Sequence, residues 1–197
     1  MSYEYVLSDD EKRELLRIAR ATLREFLAVG RIPPGAPHRA TLLAPAGVFV
    51  TLTEGQELRG CIGTTAATQA LYKAVQEMAV SAASRDPRFE SVRAEELNLI
   101  TVEISVLGAK RKVSGPADIE IGRDGLTIVK GSRKGLLLPQ VAVEHGWDAV
   151  AFLDRTCEKA GLPPGDWRSP DATVEAFPAQ VFDEKTYKVG PHATTER

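Results

Sequence analysis

A run of alternating residues that turns back on itself constrains this chain most. Val48, Val50 and Leu52 alternate with Phe49 and Thr51, Glu54-Gly55 marks a turn, and Leu58 to Gly63 returns as a second strand. Residues two apart in a strand share a face, so the pair reads as a hairpin with an apolar side that other elements must cover. With a two-residue loop at 54–55, Phe49 would stand opposite Gly60, a large residue against a small one. Leu99–Leu107 alternates again: Ile100, Val102, Ile104 and Val106 share one face, and Thr101, Glu103 and Ser105 share the other, which is expected to be wet.

Helices are expected between such strands. Ser8-Asp9-Asp10-Glu11 has the spacing of a capping box, and Leu15, Ile18, Ala19, Leu23, Phe26 and Leu27 then recur at helical spacing up to Gly30. Residues 31–40, with Pro33-Pro34-Gly35 and Pro37, form a loop. Leu71, Val75, Met78, Ala79 and Ala82 give residues 68–84 an apolar face, and Arg85-Asp86-Pro87 ends that helix. Pro116–Ile121, Leu126–Lys130 and Leu136–Leu138 read as short strands around an Arg123-Asp124-Gly125 turn. Pro139 suits the first position of a helix, and Asp148 is placed to cap the next one, in which Cys157 falls among packed apolar residues. Val174 to Phe182, interrupted by Pro178, reads as a final edge strand. The class is α+β. Residues 1–189 form a single domain of one or two subdomains, and 190–197 a polar C-terminal tail.

Composition removes several functions. The chain has 197 residues, 43% of them hydrophobic, enough for a core. A net charge of -2 with scattered Lys and Arg supplies no basic field for nucleic acid, and 6% aromatic residues supply no evident stacking platform. No run approaches the roughly 18 apolar residues of a membrane span, so a cytoplasmic protein that avoids the membrane is expected. Cys61 and Cys157 form neither a CxxC nor a disulfide framework, and His38, His145 and His192 lack ligand spacing, so no metal and no cofactor are expected.

The hexapeptide Leu58-Arg59-Gly60-Cys61-Ile62-Gly63 puts a thiol beside a guanidinium in a glycine-flanked strand. Strict alternation projects Arg59 and Cys61 together with Glu57, and turns Leu58, Gly60 and Ile62 the other way, with Leu58 in the core. A nearby cation lowers a thiol pKa, which would make Cys61 the more reactive of the two cysteines. Gly60 and Gly63 would let a ligand or another backbone come close. A small buried cysteine in a bulged strand fits the same residues. Glu103 or Asp86 could orient Arg59 or act as a base, whereas His145, beside Gly146-Trp147, reads as a surface or capping residue.

Leu58–Gly63, followed by Arg85-Asp86-Pro87-Arg88-Phe89, Gly135–Val141, Gly146-Trp147-Asp148 and Lys159–Leu162, closely resembles the AMMECR domain family. Its prokaryotic members include the AmmeMemoRadiSam system A proteins. The resemblance spans about Leu15 to Phe182. It implies a compact fold of two subdomains with mostly antiparallel sheet, the hexapeptide near a groove between them, and companionship with a Memo-like protein and a radical SAM protein. An accessory or ligand-binding role follows, in which Arg59, Arg85 and Arg88 grip an unknown anionic small ligand beside Gly60, Gly63 and Asp86. The alternatives are a thiol-dependent enzyme with Cys61 as catalytic nucleophile and, less favoured, an RNA-associated factor. On the binding reading, Arg59 matters to binding more than to folding.

Overall fold

The structure, a computed structural model, describes residues 6–35 and 37–192. Residues 108–179 form one unit, and the segments on either side of them form the other. In the flanking-segment unit, Ser8 starts helix α1 (Asp9–Val29). The Ser8 amide donates to Glu11 Oε2 at 2.8 Å and the Glu11 amide to Ser8 Oγ at 3.4 Å, the expected capping box. Gly30 closes the helix in the left-handed conformation. A single turn, α2 (Ala40–Leu43), follows the proline-rich loop.

The chain then builds β1 (Gly47–Glu54), β2 (Glu57–Thr64), α3 (Leu71–Ser84) and β3 (Ile100–Leu107). β1 is central and pairs antiparallel with β2 and β3. Val48, Val50 and Leu52 join Ile100, Val102, Ile104 and Val106, and with Leu15, Leu23, Leu71 and Val75 of the helices they form one buried cluster. Each large side chain there contributes roughly 1.5–3 kcal/mol by leaving water.

Four expectations change in this unit. The hairpin loop is Gly55-Gln56, not 54–55, with Gly55 at a φ of 64° and Glu54 opposite Glu57. Thr53 pairs with Leu58 but Leu52 with Gly60, so Arg59 is an extra, bulged residue. Phe49 therefore stands opposite Gly63 rather than Gly60. One inserted residue moves everything on its turn side to the other face. Leu58 consequently lies on the side of Cys61 and Gly63, 39% exposed instead of in the core. The polar face of β3 is not wet either, since Thr101 and Ser105 are buried.

The second unit contains β4 (Arg111–Lys112), β5 (Asp124–Lys130), β6 (Arg133–Leu137), α4 (Pro139–Glu144), α5 (Ala149–Lys159) and most of β7 (Thr173–Asp183). β5 pairs antiparallel with β6 and β7, and Leu126, Ile128, Phe152, Leu153, Cys157 and Ala176 make its core. Pro139 opens α4, and Asp148 caps α5 by accepting from the Ala151 amide at 2.8 Å, both as expected. Residues 116–118 form a 3₁₀ turn rather than a strand, because Asp118 folds back to accept the Ser114 amide at 2.8 Å. β7 is not an edge strand here: Glu175 and Ala176 pair with β5 and also with β4. Pro178 is tolerated because its carbonyl accepts from the Gly108 amide at 2.7 Å and no donor is called for.

Residues 180–183 return the chain to the first unit, where α6 (Glu184–Tyr187) follows. Of the expected tail, residues 190–192 form a 3₁₀ turn, and 193–197 lie outside the described residues. The described chain is α+β with antiparallel strand pairing. Among the described residues no helix is long and apolar enough to cross a membrane.

Candidate functional site

Cys61 and the expected ligand-binding residues all fall in the flanking-segment unit, on β2 or on the turn after α3, and Glu103 lies on β3 of the same unit. The turn is built by Asp86. Its backbone carbonyl accepts the Phe89 amide at 3.1 Å, and its carboxylate accepts the Arg88 amide at 3.2 Å through Oδ1. The same carboxylate receives Arg88 Nε at 2.9 Å and Nη2 at 2.7 Å, a two-pronged ion pair. Oδ2 then reaches β2 and accepts the Cys61 amide at 2.8 Å. Four donors on one buried carboxylate, led by Arg88, hold its pKa far below the ordinary aspartate value. In return Asp86 pushes the Arg88 guanidinium further up.

Arg88 and Asp86 differ in access: the Arg88 side chain is 52% exposed and that of Asp86 2%. Arg88 Nη2 also points to the Cys61 carbonyl at 3.4 Å, and its guanidinium lies 5.4 Å from the Phe89 ring centre. Arg85 caps α3 with its backbone amide, donating to Ser81 O at 2.8 Å, while its side chain is exposed. Two guanidinium groups therefore stand three residues apart on one turn, both open to solvent.

Arg59 has a different occupation. Its Nε and Nη2 grip Glu96 at 3.0 and 3.2 Å, and its Nη1 donates to the Glu90 carbonyl at 2.8 Å. Glu96 also accepts the Arg93 amide at 2.7 Å, so it caps the short 3₁₀ turn Ala94–Asn98 while it holds Arg59. This pairing, with Arg59 first, keeps the Glu96 carboxyl below its ordinary value. The bulge sends Arg59 to this clamp. The cation acting on Cys61 is Arg88 rather than Arg59.

Cys61 is half-buried and its Sγ receives the Thr51 hydroxyl at 3.3 Å. Thr51 stands opposite both Cys61 and Glu103, so a thiol, a hydroxyl and a carboxylate form one row across three strands. Burial dominates the thiol and pushes its pKa up; Asp86 and Glu103 push the same way, against Thr51 and Arg88. The expectation of a thiol activated by its neighbouring arginine is therefore reversed: the thiol form is favoured. Cys157, buried in the other unit, is also raised by burial. His145 stacks on Trp147 at 4.6 Å.

Both strand glycines are explained by the chain itself. A Cβ on Gly60 would lie 2.2 Å from the Ala82 carbonyl oxygen, so the strand admits the backbone of α3 there. A Cβ on Gly63 would lie 2.2 Å from the Phe49 ring, which covers that position. Among the described residues no group of three or more His, Cys, Asp or Glu could hold a metal ion. The sequence reading missed Thr51 and Glu96. Thr51 could have been found from the cross-strand register, whereas Glu96 depends on a bulge that alternation does not reveal.

The AMMECR1 family model matches residues 16–182. The chain is similar to a protein of Thermococcus gammatolerans, 44% identical over 198 residues that cover 95% of this chain and 96% of the relative. It is also similar to a protein of Methanothermobacter thermautotrophicus, 46% identical over 187 residues, 90% and 96% of the two chains. The crystal structure of the uncharacterized protein PH0010 from Pyrococcus horikoshii superposes with a TM-score of 0.86 at 41% identity, covering 91% of this chain and 94% of that one.

Proposed function

The chain belongs to the AMMECR1 family, and from that premise we propose that it is an accessory, anion-binding protein rather than a thiol enzyme. The observation that carries this reading is the divided use of Arg88. Asp86 holds its Nε and Nη2 edge, which fixes the plane of the guanidinium, and more than half of the side chain stays open. An oriented, exposed fork suits a carboxylate or phosphate group, and Arg85 adds a second charge on the same turn. Asp86 positions Arg88, Arg59 fixes the neighbouring segment through Glu96, Gly60 lets the strand pack close against α3, and Gly63 makes room for the Phe49 ring. The Memo-like protein and radical SAM protein implied by the sequence resemblance are the companions we assign to this accessory role.

Cys61 has less to recommend it as a nucleophile. A thiol must lose its proton to attack, and burial together with Asp86 and Glu103 favours the protonated form. The test is a titration with inorganic phosphate and with acetate, followed by amide NMR shifts of residues 61, 85, 86, 88 and 89. Saturable shifts are expected for at least one anion, weakened tenfold or more in Arg88→Ala and less in Arg85→Ala. Absence of saturation with both anions, or equal binding by the Arg88→Ala variant, would contradict the reading. Co-purification from source cells checks the companions separately.

A further inference from the structure

β2 is an outer strand: it pairs with β1 on one side, and among the described residues no strand pairs with its far side. An outer strand offers unpaired amides and carbonyls to any passing chain, and proteins commonly blunt that hazard with charged side chains on the strand itself. Here that device is confined to the turn end of the strand, at Glu57 and Arg59. From Gly60 to Tyr72 the sequence contains no charged residue, and the strand residues Gly60, Cys61, Ile62, Gly63 and Thr64 carry none. Leu58, displaced by the bulge, adds an exposed apolar side chain next to the same stretch.

The outward backbone groups at Cys61 nevertheless find partners. Asp86 Oδ2 accepts the amide at 2.8 Å, and Arg88 Nη2 points to the carbonyl at 3.4 Å. One acceptor and one donor on the same residue are what a neighbouring strand would supply in an antiparallel pair. The two side chains are locked to each other, and Pro87 between them restricts the backbone that carries them. Further along the edge, the Glu90 carbonyl and Glu96 hold Arg59. We infer that the Asp86–Arg88 pair is a side-chain substitute for a neighbouring strand, and that it keeps the β2 edge from pairing with the β2 edge of a second copy of this chain. The inference stands on backbone geometry and does not depend on which ligand Arg88 meets.

The test pairs two readouts on the full chain: exchange of the Cys61 amide by NMR, which reports whether the edge is open, and sedimentation over a wide range of protein concentration. Wild type should be monomeric with a protected Cys61 amide. Asp86→Ala should expose that amide at low concentration and self-associate as concentration rises, with the Cys61 amide protected again in the associated form. Asp86→Asn keeps the shape but loses the charge that holds Arg88, and should fall between the two. Should Asp86→Ala fail to fold, the asparagine variant and Arg88→Ala carry the same paired readout. A folded variant with a freely exchanging Cys61 amide that stays monomeric at every concentration would overturn the inference. So would a Cys61 amide that stays protected in all three variants.

Discussion

Arg20 and Arg88 sit in the same unit, each gripping a carboxylate with two nitrogens, and they end with opposite freedoms. Arg20 on α1 and Glu184 on α6 are sealed, with side chains 5% and 0% exposed. Arg20 Nε donates to Glu184 at 2.7 Å, Nη1 to the Leu97 carbonyl at 2.6 Å and Nη2 to the Ile100 carbonyl at 2.8 Å, while Glu184 accepts the Val102 amide at 2.8 Å. Both groups are thereby committed to joining the chain's two ends to β3. Asp86 is as deeply buried, yet its partner Arg88 is not. Burying both members makes an ion pair a strut; burying only the anion makes it a mount for an exposed cation.

This contrast can be broken by mutation. The largest effect is expected from Arg20→Met, which leaves Glu184 buried without its cation and should cost about 3–5 kcal/mol of unfolding free energy by chemical denaturation. A loss below about 1 kcal/mol would show that the sealed pair is not a strut. Next, Gly63→Ala drives a methyl group into the Phe49 ring and should cost about 1–3 kcal/mol. Phe49→Leu in the same molecule should recover part of the loss, because the clash is with that ring; no recovery would mean that Gly63 is there for something other than Phe49.

Arg59→Ala should cost about 1.5–3 kcal/mol, since its charged hydrogen bonds to Glu96 are largely shielded. Leu58→Ala should change stability by no more than about 0.5 kcal/mol. The ranking inverts the one that strict strand alternation suggests, and thermal melting of the two variants side by side decides it. Arg88→Ala takes two of the four donors off a buried carboxylate and should cost about 1.5–3 kcal/mol, while anion binding falls.

Acid sharpens the comparison from the Asp86 side. Its folded-state pKa is depressed, so its stabilisation is complete above the unfolded value of about 3.9 and is lost as pH falls toward the folded value. The stability gap between wild type and Asp86→Asn should thus be constant near neutrality and narrow below about pH 4. A gap that widens with acid would mean the carboxylate is not stabilised as an anion.

Local signals explain how far the sequence could be read. The Ser8 capping box, the apolar faces of α1 and α3, the Asp148 cap and the inward face of β3 all rest on spacings within one element, and all appear in the structure. The errors have a different origin. An extra residue in β2 is visible only against β1; it misplaced Leu58 and Arg59 and, together with the shifted hairpin loop, the Phe49 partner. Pro178 suggested an edge, but whether a strand needs a donor at that point is set by Gly108, seventy residues earlier. At the candidate site, the motif brought Cys61, Asp86 and Arg88 to notice. Which cation met which carboxylate was settled by the turn, not by proximity in sequence.

The central claim is that the motif cysteine belongs to a binding site and is held as a thiol, and titration of Cys61 tests it most directly. In a Cys157→Ser background, thiolate absorbance or the rate of alkylation followed against pH reports Cys61 alone. The account predicts a midpoint above the ordinary thiol value, lowered when Asp86 is replaced by asparagine, because that carboxylate helps keep the proton on sulfur. A midpoint below the ordinary value, with fast alkylation at neutral pH, would contradict the account and establish Cys61 as a poised nucleophile.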